Sequence, residues 1–101
     1  MSTAEDRPTW HPIANFPETG RLDAAQLNAL PESAFAFPRL RKEPITDASH
    51  VRSALARFNQ VTGATDAERD LAFANIKKAA LHYNVQLSET DWRHLGSARG
   101  P

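Results

Sequence analysis

The chain contains no cysteine. That removes disulfide scaffolding, thiol nucleophiles, iron–sulfur clusters and thiolate zinc sites together. Its 4 glycines are scattered, so they assemble neither a Gly-rich phosphate loop nor a dinucleotide fingerprint. Net charge is also missing, because 12 Lys and Arg balance 12 Asp and Glu. A general polyanion binder gains affinity by releasing counterions with many basic groups, so this balance argues against one. No apolar run reaches membrane-spanning length, and the N-terminus lacks the basic-then-apolar layout of a secretory signal. The expected location is the cytoplasm. With 101 residues there is room for one domain and one modest core.

The centre of that domain is read at Phe35–Gly63. Within it Val51, Ala54, Leu55, Phe58 and Val61 recur at about 100° per residue, the spacing of one helical face. Thr46 or Asp47 supplies a cap, and Gly63 supplies a left-handed residue of the kind that ends helices. The spacing predicts a central helix over 47–62. Upstream, Asp23 and Gln26 stand at capping-box spacing, with Leu22 and Leu27 as a staple, for a short helix over 22–30 that Pro31 stops. Pro31–Ala34 suits one further helical turn. Phe35 and Phe37 alternate like a strand, but Pro38 and Pro44 bracket a segment read as too short for a sheet.

Thr65 and Glu68 form a second capping box, opening a helix whose stripe is Phe73, Ile76, Ala80 and Tyr83, broadened by Ala72 and Ala79. Leu71, Lys78 and His82 fall on its other face, and Asn84 is expected to end it. Ser88 and Asp91 mark one more start, for a brief last helix ending near Leu95. The expected fold is therefore an all-α bundle of about four helices, two longer and two short, over 22–96. A flexible Pro-rich arm (1–21) precedes it and a disordered tail (97–101) follows. Trp10, Ile13 and Phe16 stand out in the arm, either folded back onto the domain or forming a docking peptide for another protein.

Candidate chemistry is sparse. His11, His50, His82 and His94 lie in four separate segments without metal-ligand spacing. Asp66, Glu68 and Asp70 cluster where acidic groups favour the positive end of a helix dipole, although close carboxylates can also serve acid–base chemistry. Ser33 and Ser49 show no histidine–carboxylate arrangement of the kind that activates a nucleophile, although sequence spacing does not exclude one in space. Neither a catalytic constellation nor a cofactor or metal is expected. The most suggestive polar feature is basic: Arg39, Arg41, Lys42, Arg52 and Arg57 stand against only Glu43 and Asp47, in a chain otherwise net acidic. A basic loop beside a helix N-terminus can hold phosphate. Solvated charges and surface ion pairs are the plainer explanation.

Several strings resemble a known family. Leu30-Pro-Glu-Ser-Ala-Phe-Ala-Phe-Pro38, Arg41-Lys-Glu-Pro-Ile-Thr-Asp-Ala-Ser-His-Val-Arg52, Ala54 to Gln60, Asp66-Ala-Glu-Arg-Asp70, Ile76-Lys-Lys-Ala-Ala80 and Trp92-Arg-His-Leu-Gly96 together resemble small bacterial proteins of unknown function, common in actinobacteria. The "Leu-Pro-x-Ser-Ala-Phe-Ala" and "His-Val-Arg-x-Ala" segments also look like modules of phage head-assembly or prohead-protease-associated proteins. The resemblance covers about 22–96. It implies a self-standing helical module with an interaction role, and no catalytic residues.

Two functions follow as expectations. The first is a non-enzymatic protein-interaction module, docking through an apolar patch near Trp10 or Leu71. The second is nucleic-acid binding through Arg39, Arg41, Lys42, Arg52 and Arg57, which requires those side chains to converge.

Overall fold

Three helices start where a polar side chain accepts an amide that the first helical turn leaves unpaired. The computed structural model describes residues 8–13, 23–88 and 92. In it Asp23 caps α1 (Ala24–Ala29), Asp47 caps α2 (Ala48–Arg57) and Thr65 caps α3 (Asp66–Tyr83). At Asp23 and Thr65 the box is reciprocal, since Gln26 and Glu68 accept the cap residues' own N–H groups at 3.0 and 2.9 Å. Asn84 ends α3 in the left-handed conformation, with φ 60°. One 3₁₀ turn (Glu32–Ala34) follows α1, as Pro31 leads one to expect.

Two short strands follow, and they overturn the expected all-α bundle of about four helices. Among the described residues the fold is mixed α/β, with three α-helices and a two-stranded antiparallel sheet. β1 (Phe35–Phe37) pairs with β2 (Lys42–Pro44), Phe35 opposite Pro44 and Phe37 opposite Lys42. The two prolines do not prevent pairing. Pro38 starts the turn, which closes through Arg41 N–H to the Pro38 carbonyl at 3.2 Å. Pro44 is the last residue of β2, and beyond it Ile45 N–H donates to the Ala34 carbonyl at 2.8 Å. The hairpin is disguised in sequence because its left-handed positions are Arg41 (φ 51°) in the turn and Glu43 (φ 57°) within β2, whereas hairpins usually place Gly or Asn at such positions.

The hairpin completes the core rather than bordering it. All three β1 residues are buried. Ala36 and Phe37 join Val51, Ala54 and Phe58 of the central segment and Phe73 and Ile76 of α3 in the main cluster. Phe35 forms a second cluster with Leu30 and Ala34, against half-buried Ile13 and Leu27. Phe58 is the hub, its ring lying 5.4 Å from Phe37, 6.0 Å from Phe73 and 5.9 Å from Trp92. The helix expected over 47–62 ends at Arg57 and tightens into a 3₁₀ turn (Phe58–Gln60), so Gly63 (φ 82°) shapes the link to α3 instead of capping α2. Trp92 packs partly buried on the core. The brief last helix expected from Ser88 falls largely outside the described residues.

Residues 8–13, expected within the extended arm, are seated on the domain, with Trp10 0% exposed. No helix among the described residues is long and apolar enough to cross a membrane.

Candidate functional site

The five basic side chains from Arg39 to Arg57 separate once the chain folds. Arg39 is bonded to both carboxylate oxygens of Glu68, and its Nη2 also donates to the Gly63 carbonyl at 3.0 Å. It thereby fastens the hairpin turn to the start of α3. Arg41 turns to α1, donating to the Leu27 and Leu30 carbonyls at 2.9 and 2.8 Å while its guanidinium lies over the Phe35 ring. A cation there satisfies the orphan carbonyls that every helix end leaves. Arg52 is exposed on α2. It stands five positions before Arg57, so helical geometry turns the two well apart.

Lys42 and Arg57 do come to one cleft. With Glu43, Gln60, Val61 and Thr62 they line a cleft of about 180 Å³ between β2 and the end of α2. Local structure puts them there. Lys42 is exposed on the edge strand, and Arg57 is the last residue of α2 before the chain tightens. Neither side chain has a hydrogen bond or ion pair to another described residue, unlike Arg39, Arg41 and Arg69. Glu43 is half-buried in the left-handed conformation, an unusual backbone state for a side chain of this kind and one that tends to mark functional positions. Burial pushes the Glu43 carboxyl above its ordinary range, while Arg57, Lys42 and His50 pull it back down.

His50 sits beside this cleft in the first turn of α2. Its Nδ1 is 2.8 Å from Asp47 Oδ1, and its main-chain N–H donates to the same oxygen at 2.8 Å. Burial works against the Asp47 carboxylate, but these bonds prevail and hold it below its ordinary value. The Thr46 hydroxyl lies 3.3 Å from the same Nδ1, and Tyr83 donates to the Thr46 carbonyl at 3.1 Å. One face of the imidazole is thus committed to the helix cap.

The other candidates disperse. His11 is exposed, and His82, also exposed, meets the Trp10 and Tyr83 rings edge-on. His94 lies outside the described residues. Among the described residues no three His, Asp or Glu side chains gather as a metal site would require. Asp66 reaches Arg69, Glu68 pairs with Arg39, and Asp70 accepts the Trp92 indole N–H at 2.7 Å, so each member of the acidic cluster has its own partner. Ser33 is half-buried in its 3₁₀ turn, while Ser49 is exposed in α2. Trp10 is interior and Leu71 half-buried. Among the described residues the single large apolar side chain that stands in solvent is Leu81, 83% exposed. That is one residue rather than a patch.

Glu43, Gln60 and Thr62 were not readable from sequence as parts of one cleft, because only the hairpin brings β2 alongside the end of α2. Asn75 was more accessible. It stands three residues after Ala72 and four before Ala79, on the apolar stripe, and it is fully buried.

Residues 23–90 match the model of a family of unknown function, DUF6582. No curated protein and no solved structure matches the chain.

Proposed function

Since the chain belongs to this family of unknown function, we propose from the site itself that it is a non-enzymatic protein-interaction module. Its binding point is the Lys42–Arg57 cleft, and its ligand is a carboxylate-bearing segment of a partner protein. One observation carries the reading: Lys42 and Arg57 flank a concave site with no described carboxylate bonded to either, whereas Arg39 and Arg41 are engaged within the protein. Charge-assisted bonds from a guanidinium to a carboxylate are strong and directional, and Arg57 offers that fork at the edge of the cleft. Gln60 and Thr62 add neutral polar groups suited to the main chain of a bound segment. The resemblance to segments of phage assembly proteins points the same way, towards docking. The apolar patch expected near Trp10 or Leu71 does not enter the argument.

The nucleic-acid reading is weaker on the same geometry. Two converging cations neutralise about two phosphates, too few for the steep salt dependence of a backbone binder.

The test is an amide NMR titration with a capped oligoglutamate peptide, alongside random-sequence duplex DNA at low and moderate salt. Expected are peptide-induced shifts at Lys42, Glu43, Arg57 and Gln60–Thr62 that disappear in a Lys42→Glu/Arg57→Glu double variant. Absence of peptide shifts at low salt sinks the reading. Salt-steep DNA shifts spread over residues 39–57 would replace it with nucleic-acid binding.

A further inference from the structure

Asn75 is the buried polar residue of the described core, and its hydrogen-bond partners Thr9, Trp10 and Ala36 lie far away in sequence. Its Oδ1 accepts the main-chain N–H groups of Thr9 and Trp10 at 2.7 and 2.9 Å. Its Nδ2 donates to the Thr9 hydroxyl at 3.2 Å and to the Ala36 carbonyl of β1 at 2.9 Å. The enclosed Trp10 indole donates to the Ile45 carbonyl at 2.9 Å, and His11 N–H donates to the Ser33 carbonyl at 3.0 Å.

The body of the domain therefore offers a seat of defined chemistry. A side-chain amide reads two successive N–H groups and a hydroxyl, and a socket takes an indole with a carbonyl at its end. An empty seat would leave the Asn75 amide and the Ile45 carbonyl short of partners, so vacancy is strongly disfavoured. Another segment of the same sequence restores every bond. None of these contacts depends on the segment belonging to the same chain.

Residues 14–22 join segment and body, nine residues with an extended reach of about 30 Å. We propose that this seat is an interaction surface between copies of the chain, in which residues 8–13 of a second copy occupy it and the exchange is reciprocal. Such a two-fold exchange reuses contacts already formed and needs no new complementary surface. Tethering keeps the segment at an effective concentration of millimolar order, so the closed monomer dominates in dilute solution and the exchanged dimer grows as the chain approaches that range. This surface is separate from the Lys42–Arg57 cleft and stands or falls independently of it.

The experiment uses the full chain carrying Trp10→Ala, with the capped hexapeptide Pro-Thr-Trp-His-Pro-Ile as probe. The expected result is a saturable shift of the Asn75 side-chain amide signals and a higher unfolding midpoint, neither produced by the peptide with Ala in place of Trp. If the variant does not fold alone, folding induced by the tryptophan peptide is the same result, and no folding overturns the proposal. Light scattering on the wild-type chain, from about 10 µM to about 1 mM, supplies the second readout. A dimer fraction rising with concentration supports exchange. A monomer throughout removes the second copy as occupant.

Discussion

The side-chain carbonyl of Asn75 lies 2.9 Å from the main-chain nitrogen of Trp10, which donates to it across 65 residues of sequence. Through the same side chain the Ala36 carbonyl of β1 is satisfied. A single amide thus joins the N-terminal segment, the hairpin and α3. Asn75→Ala leaves two N–H groups and one buried carbonyl without their partner. The expected cost is about 2–4 kcal/mol, on the scale of one to three per orphaned buried group with some relief by water. Urea unfolding monitored by fluorescence measures it. A loss below about 0.5 kcal/mol, the scale of an ordinary surface change, would show that the segment is held by the Trp10 socket alone.

Phe58 touches Phe37, Phe73 and Trp92, so truncating it opens the interior where central helix, sheet and α3 converge. Phe58→Ala is expected to cost about 3–5 kcal/mol, enough to unfold much of the population of so small a domain. Circular dichroism during heating is the check, and an unchanged midpoint would contradict the packing described.

The Arg39 pair has a pH signature. Bonding to Arg39, and then the Thr65 N–H, holds the Glu68 carboxyl down from 4.5 to about 2. A carboxyl lowered in the folded state stabilises fully above its unfolded value. That contribution fades as pH falls from about 4.5 towards 2. Arg39→Met removes the chief cause and should flatten stability loss in that acid window. The difference will be modest, since Arg39 is 61% exposed and solvent screens the pair. Parallel acid slopes for the two proteins would rule the pair out as a contributor.

Glu43 behaves with the opposite sign. Burial raises its carboxyl in the folded state, so the folded chain holds this proton more tightly than the unfolded one. Its stabilising contribution is therefore full below the ordinary carboxylate range and lost as pH rises through the raised value. Glu43→Gln should make the protein more stable than wild type at neutral pH, with the gap closing on acidification below about 4.5. Unfolding midpoints at pH 7 and pH 4 decide it. A variant less stable at pH 7 would mean that Lys42 and Arg57 outweigh burial.

Helix starts were legible because their chemistry is local. Asp23 with Gln26, and Thr65 with Glu68, satisfy one another within four residues, so no distant part of the chain is consulted. The stripe Val51, Ala54, Phe58 and Val61 was legible for a related reason, since helical periodicity turns sequence spacing into a face. The hairpin was not. Its pairing depends on Arg41 and Glu43 adopting left-handed conformations that neither residue announces, and its three-residue strands are too short for alternation to speak. The charged cleft was half legible. The basic run was plain, but which cations are engaged depends on partners 11 to 29 residues away.

The sequence by itself determined where helices begin, where α3 ends, which face of α2 is apolar, and that thiol chemistry is absent. Each of these follows from bonds or spacings within a few residues. Tertiary structure alone decided that 35–44 pairs as a sheet, that Trp10 is interior, and that Lys42 and Arg57 share a cleft while Arg39 and Arg41 are engaged in the fold. Each of those rests on a hydrogen bond, ring contact or ion pair between groups remote in sequence. Such contacts form only when burial of the common core outweighs the entropy of bringing distant segments together.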